Sequence, residues 1–233
     1  MRIIAWNCQM AFRRKYEVSA ALKPDILVIS ESESPEYLRE KSANLPWSNH
    51  VWVGDNRTKG LSVFATSEFD LRLKQTNNPS FRFVAPVDVQ GPNGHVDLMA
   101  VWTQGGTAPS KAYVAHILNA VQFYGSDLNR NSVILGDFNS NPVFKQNGKK
   151  HVELVKMLDE YGFDSLYHRQ SHEEHGQESK PTFYLHRNRL KPYHLDYVFC
   201  DKSREATVSI GATGDWLSLS DHMPLIADFE VGP

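Results

Sequence analysis

The 233 residues fit one large domain or two small ones and exclude a third, because single cores stop growing near ~250–300 residues. Hydrophobic residues make up 41% and charged residues 22%, which supplies a core and excludes a disordered chain. Twenty-seven acidic side chains against 25 basic ones leave a net charge of −2, so any contact with a polyanion must be local.

RIIAWN at 2–7 opens the chain as a strand, rich in β-branched and aromatic residues. A short helix is expected over Tyr16 to Leu22, ending before Pro24. DILVIS at 25–30 is apolar at consecutive positions, the mark of a strand covered on both faces. LSVFA at 61–65, FRFVAPVDV at 81–89 and VDLMAVW at 96–102 follow as strands; the second of these alternates and predicts one wet side. After Pro109, Ser110 is positioned to cap a helix in which Val114, Ile117, Leu118 and Val121 follow the i, i+3, i+4, i+7 rule. SVILG at 132–136 is a second buried strand. Leu154, Met157, Leu158 and Tyr161 predict another helix, stopped by Gly162. LDYVFC at 195–200 and PLIADFEV at 224–231 complete the strands. Helices are too few to flank every strand, so the chain is a mixed α/β protein with strands paired directly. No repeat or low-complexity linker marks a boundary, which predicts a single domain over 1–233 with loops at 32–50, 140–150 and 168–181.

The two cysteines, Cys8 and Cys200, are too few for a disulfide framework or a cysteine-type zinc site, and a reducing compartment is the expectation. No stretch approaches the ~18 consecutive apolar residues of a membrane span. The start MRIIAWNC lacks the long apolar segment of a secretion signal, so a cytoplasmic protein is expected.

Polar residues suited to metal or phosphate fall at strand ends, where loops carry chemistry on a rigid frame. Asn7 ends the first strand and Glu31 follows the second. Asp137 and Asn139 lie two apart in GDFNSNP, Asp196 lies within HLDYVF, and Asp221 and His222 precede the last strand. Taken singly, most have an ordinary explanation: Asn and Asp cap turns, Glu31 sits in a polar loop with Ser32 and Glu33, and His222 reads as a loop histidine. Asp196 is different, because an acid within an apolar strand costs several kcal/mol unless it is paired or ligated. Together, these oxygen-rich side chains suit Mg²⁺, a hard ion held by one or two carboxylates plus water and substrate phosphate.

The same marks resemble the endonuclease/exonuclease/phosphatase superfamily, which includes the exonuclease III-type abasic-site endonucleases, deoxyribonuclease I, sphingomyelinases and inositol polyphosphate 5-phosphatases. They are IIAWN with Asn7, PDILVISE with Glu31, GDFNSNP with Asp137 and Asn139, PTFY followed by LDYVF with Asp196, and SDHMPL with Asp221 and His222. They span nearly the whole chain in the family's order. The resemblance implies a four-layered α/β/β/α sandwich of two mixed sheets and hydrolysis of a phosphoester by in-line attack of water. It implies Mg²⁺, with Mn²⁺ as the alternative, bound by Glu31 with Asn7 and Asp221 near it. Asp137 would position and deprotonate the water, Asn139 and His222 would hydrogen-bond the phosphate, and Asp196 would orient His222.

Two positions depart from the family's pattern. Trp102 stands where many members carry a Tyr or His that binds phosphate or protonates the leaving oxygen, and Ser30 replaces a common Gln. The basic groups Arg13, Arg14 and Lys15, then Lys145, Lys149 and Lys150, then Arg187, Arg189 and Lys191 leave strands that carry site residues. They are expected either to track a nucleic-acid backbone or to be ordinary solvated surface. Trp47, Trp52 and Tyr184 would stack on bases or pack in the core. The favoured reading is a monomeric nuclease or repair phosphodiesterase acting on DNA. Its alternatives are an enzyme for a small or lipid-derived phosphoester and a weakly active nucleic-acid-binding member. His168, His172 and His175 with Glu173 and Glu174 allow a zinc site, but the polar flanks predict a mobile substrate-side loop instead.

Overall fold

The computed structural model describes residues 1–92, 94–104 and 113–230. The chain runs through β1 (Arg2–Asn7), α1 (Tyr16–Ala20), β2 (Ile26–Ser32), α2 (Pro35–Glu40), β3 (Asn49–Asn56), β4 (Lys59–Ala65), β5 (Asp70–Leu73), β6 (Val84–Gly91) and β7 (Gly94–Trp102). It continues through α3 (Tyr113–Tyr124), β8 (Ser132–Asp137), α4 (Gly148–Glu160), β9 (Phe163–Ser165), α5 (Leu166–Ser171), β10 (Phe183–Tyr184) and β11 (Pro192–Tyr193). It ends with β12 (Asp196–Asp201), β13 (Ala206–Ile210), α6 (Thr213–Trp216) and β14 (Leu225–Phe229).

Two six-stranded mixed sheets form, in the orders β13-β14-β1-β2-β4-β3 and β5-β6-β7-β8-β12-β9. Strand periodicity builds four layers from them. Ile3 and Ala5 of β1, Val28 of β2, Ala100 of β7 and Leu135 of β8 meet in the core between the sheets. The alternate residues Ile4 and Trp6 face outward onto Phe12, Leu38, Trp47 and Trp216. On the other side Met99, Val101 and Ile134 pack under α3 and α4 through Val114, Ile117, Leu154 and Leu158. Both faces of both sheets are therefore covered, giving the α/β/β/α sandwich.

This packing corrects the expected wet face of the sixth strand. Phe83 adopts a left-handed φ of 63°, so the strand begins at Val84, and its inward and outward residues are both largely buried because α3 covers the outer side. The helix at 35–40 falls inside the loop expected at 32–50, and an unforeseen strand at 49–56 begins at that loop's end. The helix has a physical signature: the Ser34 hydroxyl accepts from Tyr37 N at 3.3 Å, and Pro35 fills the first turn. The proposed Ser110 cap lies outside the described residues.

Within each sheet the one parallel pair sits centrally and sets the position of the site. β1 runs parallel to β2, aligning Asn7 with Ser30, and β7 runs parallel to β8, aligning Trp102 with Asp137. Antiparallel β12 starts where β8 ends, with Asp196 opposite Asp137, and β14 starts beside the end of β1. Four carboxyl ends and two amino starts thus collect at one edge of the sandwich, where open α/β sheets bind their ligands.

Candidate active site

Local backbone devices turn the side chains inward at this edge. The β2–β4 register shifts between Ser30 and Ser32, and the residue in that bulge, Glu31, takes φ 64°. A non-glycine residue rarely adopts this conformation, and here it swings Glu31 off the pleat into a cavity. Gly136 has φ 138°, and a Cβ there would lie 2.0 Å from Val101 O, so only glycine lets β8 pass β7 this closely before Asp137. Asn139 follows with φ 46°, folding its amide back over Asp137.

Asp137 is 1% exposed and held from three directions. Its Oδ2 accepts from Asn7 Nδ2 at 2.9 Å and from Asn139 Nδ2 at 2.8 Å, and its Oδ1 accepts from Asn139 N at 2.9 Å. Burial pushes this carboxyl upward, against the pull of His222. His222 Nε2 lies 3.9 Å from Asp137 Oδ2, while its Nδ1 is 2.9 Å from Asp196 Oδ2. Burial opposes charge on His222, but Asp196 and Asp137 outweigh it and raise the imidazole to about 10. Asp196, the acid within an apolar strand, thus has the cationic partner its position demands.

Thr182 of PTFY completes the group. Its hydroxyl donates to Asp196 Oδ2 at 2.6 Å and accepts from the backbone N–H groups of Leu195 and Asp196. Trp6 Nε1 donates to the His222 carbonyl at 2.9 Å, and Ser220 Oγ donates to Asn7 O at 2.7 Å, tying the last loop to β1. Asp137, Asp196 and His222 each place an atom within 4.8 Å of the others. With the imidazole lying between two carboxylates, this is an acid–histidine–acid chain rather than an oxygen cage for a hard cation.

A cavity of about 490 Å³ opens over this chain, with Asn7, Glu31, Trp102, Asn139, Asp221 and His222 in its wall. Its oxygen donors suit Mg²⁺: two carboxylates, Glu31 and Asp221, with the Asn7 amide beside them. Lys59 Nζ, 3.4 Å from Glu31 Oε2, already places a positive charge at that carboxylate. A larger cavity, about 610 Å³, lies beside Lys202 and Asp228 at the opposite ends of β12 and β14; its walls carry none of these residues. Volume is a poorer guide here than the chemistry of the walls.

The other expected site groups divide. Trp102 is 2% exposed and packed on Phe83, with Lys59 Nζ 5.2 Å from its ring centroid, so it serves as wall. Arg187 reaches the rim through Gln9: Arg187 Nε donates to Gln9 Oε1 at 3.0 Å, and Gln9 Nε2 donates to Asp221 Oδ2 at 2.9 Å. Arg187 also donates to the carbonyl of Ser218 at 2.7 Å. Arg13 does not face the cavity freely; it pairs with Glu33, whose side chain is 1% exposed although it lies in an expected polar loop. Lys15 is likewise bound to the carbonyls of Cys8 and Leu219, whereas Arg14, Lys145, Lys149, Arg189 and Lys191 are exposed. Trp47 and Tyr184 are core residues, and Trp52 is half-buried against Ser32. Gln9, Lys59 and Thr182 escaped the sequence reading; PTFY was the one signal for any of them.

Comparison with known proteins agrees with this geometry. Residues 4–222 match the Endonuclease/Exonuclease/phosphatase family. The chain belongs to that family. Membership makes it an enzyme of phosphoester hydrolysis, of the nuclease and phosphodiesterase kind. No curated protein matches the sequence significantly. Among solved structures, an AP endonuclease from Archaeoglobus fulgidus is similar with a TM-score of 0.71 at 18% identity, covering 99% of this chain and 100% of that one. The 3′-5′ exonuclease NExo from Neisseria meningitidis is similar with a TM-score of 0.68 at 19% identity, covering 99% and 100%. Truncated TDP2 from Caenorhabditis elegans is similar with a TM-score of 0.66 at 13% identity, covering 98% and 96%. At these identities the likeness speaks for the fold. Among the described residues, no helix is long and apolar enough to cross a membrane.

Proposed function

We propose that the chain is a Mg²⁺-dependent nuclease or repair phosphodiesterase whose substrate is DNA and whose site is the cavity at the sheet edge. The observation that carries this reading is the buried chain Asp137–His222–Asp196 opening into a cavity that also holds Glu31 and Asp221. Glu31, Asp221 and Asn7 would hold the ion, which when bound supplies Lewis-acid polarisation of the phosphate.

The chain's own residues do the rest. Asp196 accepts from His222 Nδ1, which leaves Nε2–H facing Asp137 and the cavity. A protonated His222 there donates to a phosphoryl oxygen as charge grows on it. Asp137, with its carboxylate fixed by Asn7 and Asn139, orients water for in-line attack and takes its proton. Asn139 spends its two amide hydrogens on Asp137 Oδ2 and on Thr103 O at 3.0 Å, so its first role is to aim the base. Lys59 brings positive charge to the side walled by Trp102.

The arginine pairings favour a second reading. Arg13 and Arg187, expected to neutralise a nucleic-acid backbone, are bound instead to Glu33 and to Gln9 with carbonyls. Fewer cations are then left for a long polyanion, which suits a small phosphoester. A panel of abasic duplex, plain duplex, single strand, RNA and small phosphomonoesters, each with Mg²⁺ and with Mn²⁺, separates the two. Cleavage of the abasic duplex well above the monoesters is expected; turnover of monoesters alone would overturn the DNA assignment.

A further inference from the structure

Behind the catalytic turn lies a second polar cluster that the hydrolytic reading leaves unused. The segment after α5, expected to be a mobile loop, folds inward. His172 stays exposed at φ 59°, whereas His168, His175 and Glu178 turn toward His151 and His194. One donor atom from each of His168, His175 and Glu178 lies within 4.8 Å of the others, and His168 Nε2 is 3.2 Å from Glu178 Oε1. An ion bonded at about 2.0–2.2 Å in tetrahedral geometry separates its ligand atoms by about 3.3–3.6 Å.

Two observations say what is missing here. First, Glu178 carries a side chain only 4% exposed, and its oxygens accept from Gly176 N at 2.9 Å and from Asn141 Nδ2 and lie 3.2 Å from His168 Nε2. Among the described residues, the one group at ion-pair distance from Glu178 is His168. Second, His194 Nδ1 is 2.9 Å from the Lys180 carbonyl, which can only accept, so Nδ1 carries the proton and Nε2 is a bare lone pair. That Nε2 is buried and has no hydrogen-bond partner among the described residues, and its ring lies 5.8 Å from that of His168. A carbonyl on one imidazole nitrogen with the other left bare is how metal-binding histidines are prepared.

The surroundings supply outer support of the same kind. Ser165 Oγ sits 2.8 Å from His168 Nδ1, Asn141 Nδ2 donates to both Glu178 oxygens at 3.1 Å, and Ser140 Oγ holds His151 at 2.9 Å. From this geometry we propose a structural zinc-type site formed by His168, His175 and Glu178, with the unpartnered His194 beside it. Imidazoles with one carboxylate select a borderline transition ion over Mg²⁺. The rings of His168 and His175 stack with centroids 3.5 Å apart, so an ion there would have to part them. The site clips the 172–181 segment to β12 and, through Ser140 and Asn141, to the turn that carries Asp137 and Asn139.

The test uses the full chain, stripped with chelator and titrated with zinc by calorimetry, and with cobalt by its visible absorption. To separate this site from the catalytic one, the titration is repeated on Glu31→Gln. A single tight zinc equivalent is expected in both, with a tetrahedral cobalt spectrum, insensitive to excess Mg²⁺. Glu178→Gln and His168→Ala should lose it, and Ser165→Ala should weaken it about 10- to 100-fold. Zinc binding that vanishes with Glu31→Gln, or that survives both Glu178→Gln and His168→Ala, would overturn the proposal. So would a wild-type chain that takes up no tight zinc, a result independent of whether any variant folds.

Discussion

The turn from Asp137 to Asn141 divides two buried polar clusters that differ in how their groups are satisfied. On one side Asn139 and His222 face a cavity with Asp137 behind them, and two carboxylates crowd one histidine while Glu31 and Asn139 hold left-handed backbone. On the other side Ser140 and Asn141 join a histidine–glutamate cluster whose members are mostly hydrogen-bonded to one another. Crowded charge and strained backbone cost stability and persist where chemistry needs them. A hydrogen-bonded network contributes stability, and removing a member leaves the remainder unpaired. The first side should therefore trade activity, and the second should trade folding.

The sharpest way to break this contrast is Asp137→Asn. It keeps the shape and removes the base, so kcat should fall by about 10²–10⁴-fold while the melting temperature holds or rises. A large loss of melting temperature would mean that the carboxylate holds the fold instead. On the other side, Glu178→Ala strands Asn141, His168 and Gly176 N and should cost on the order of 3 kcal/mol in denaturant unfolding. The folded fraction should keep its catalytic rate. Arg13→Gln comes next: it leaves Glu33 buried without its cation and should cost about 2 kcal/mol of stability with little change in KM for DNA. A raised KM at unchanged stability would return Arg13 to substrate binding. Thr182→Val has the smallest effect, about 1 kcal/mol and roughly tenfold in kcat, because it loosens Asp196 without removing it. An unchanged rate would detach Asp196 from catalysis.

The residues themselves explain what could be foreseen. Central strands such as β1, β2, β8 and β12 are buried on both faces, so their apolar runs announce them. Of the strands that the pattern did not reveal, β3, β5, β9 and β13 are the four edges of the six-stranded sheets, and β10 and β11 pair as a two-residue ribbon. An edge strand is half wet or very short and leaves no clear period. The same distinction governs the sites. Asn7, Glu31, Asp137, Asp196 and His222 sit at the ends of legible strands, so their order along the chain was informative and the sheets bring them together. Gln9 and Lys59 reach the cavity, and Thr182 reaches Asp196, through loop and bulge geometry that no local pattern encodes. Glu33 and Glu178 fell within expected loops because their partners, Arg13 and His168, are 20 and 10 residues away.

The central claim is that the acidic cavity at the sheet edge is the hydrolytic centre and works with a divalent ion. It is tested most directly by measuring cleavage of an abasic duplex against Mg²⁺ concentration for the chelator-stripped wild type and for Glu31→Gln. The wild type should be silent without the ion and recover fully on its return, and Glu31→Gln should need at least about tenfold more Mg²⁺. Cleavage that persists in chelator, or the same Mg²⁺ midpoint for both proteins, would contradict it.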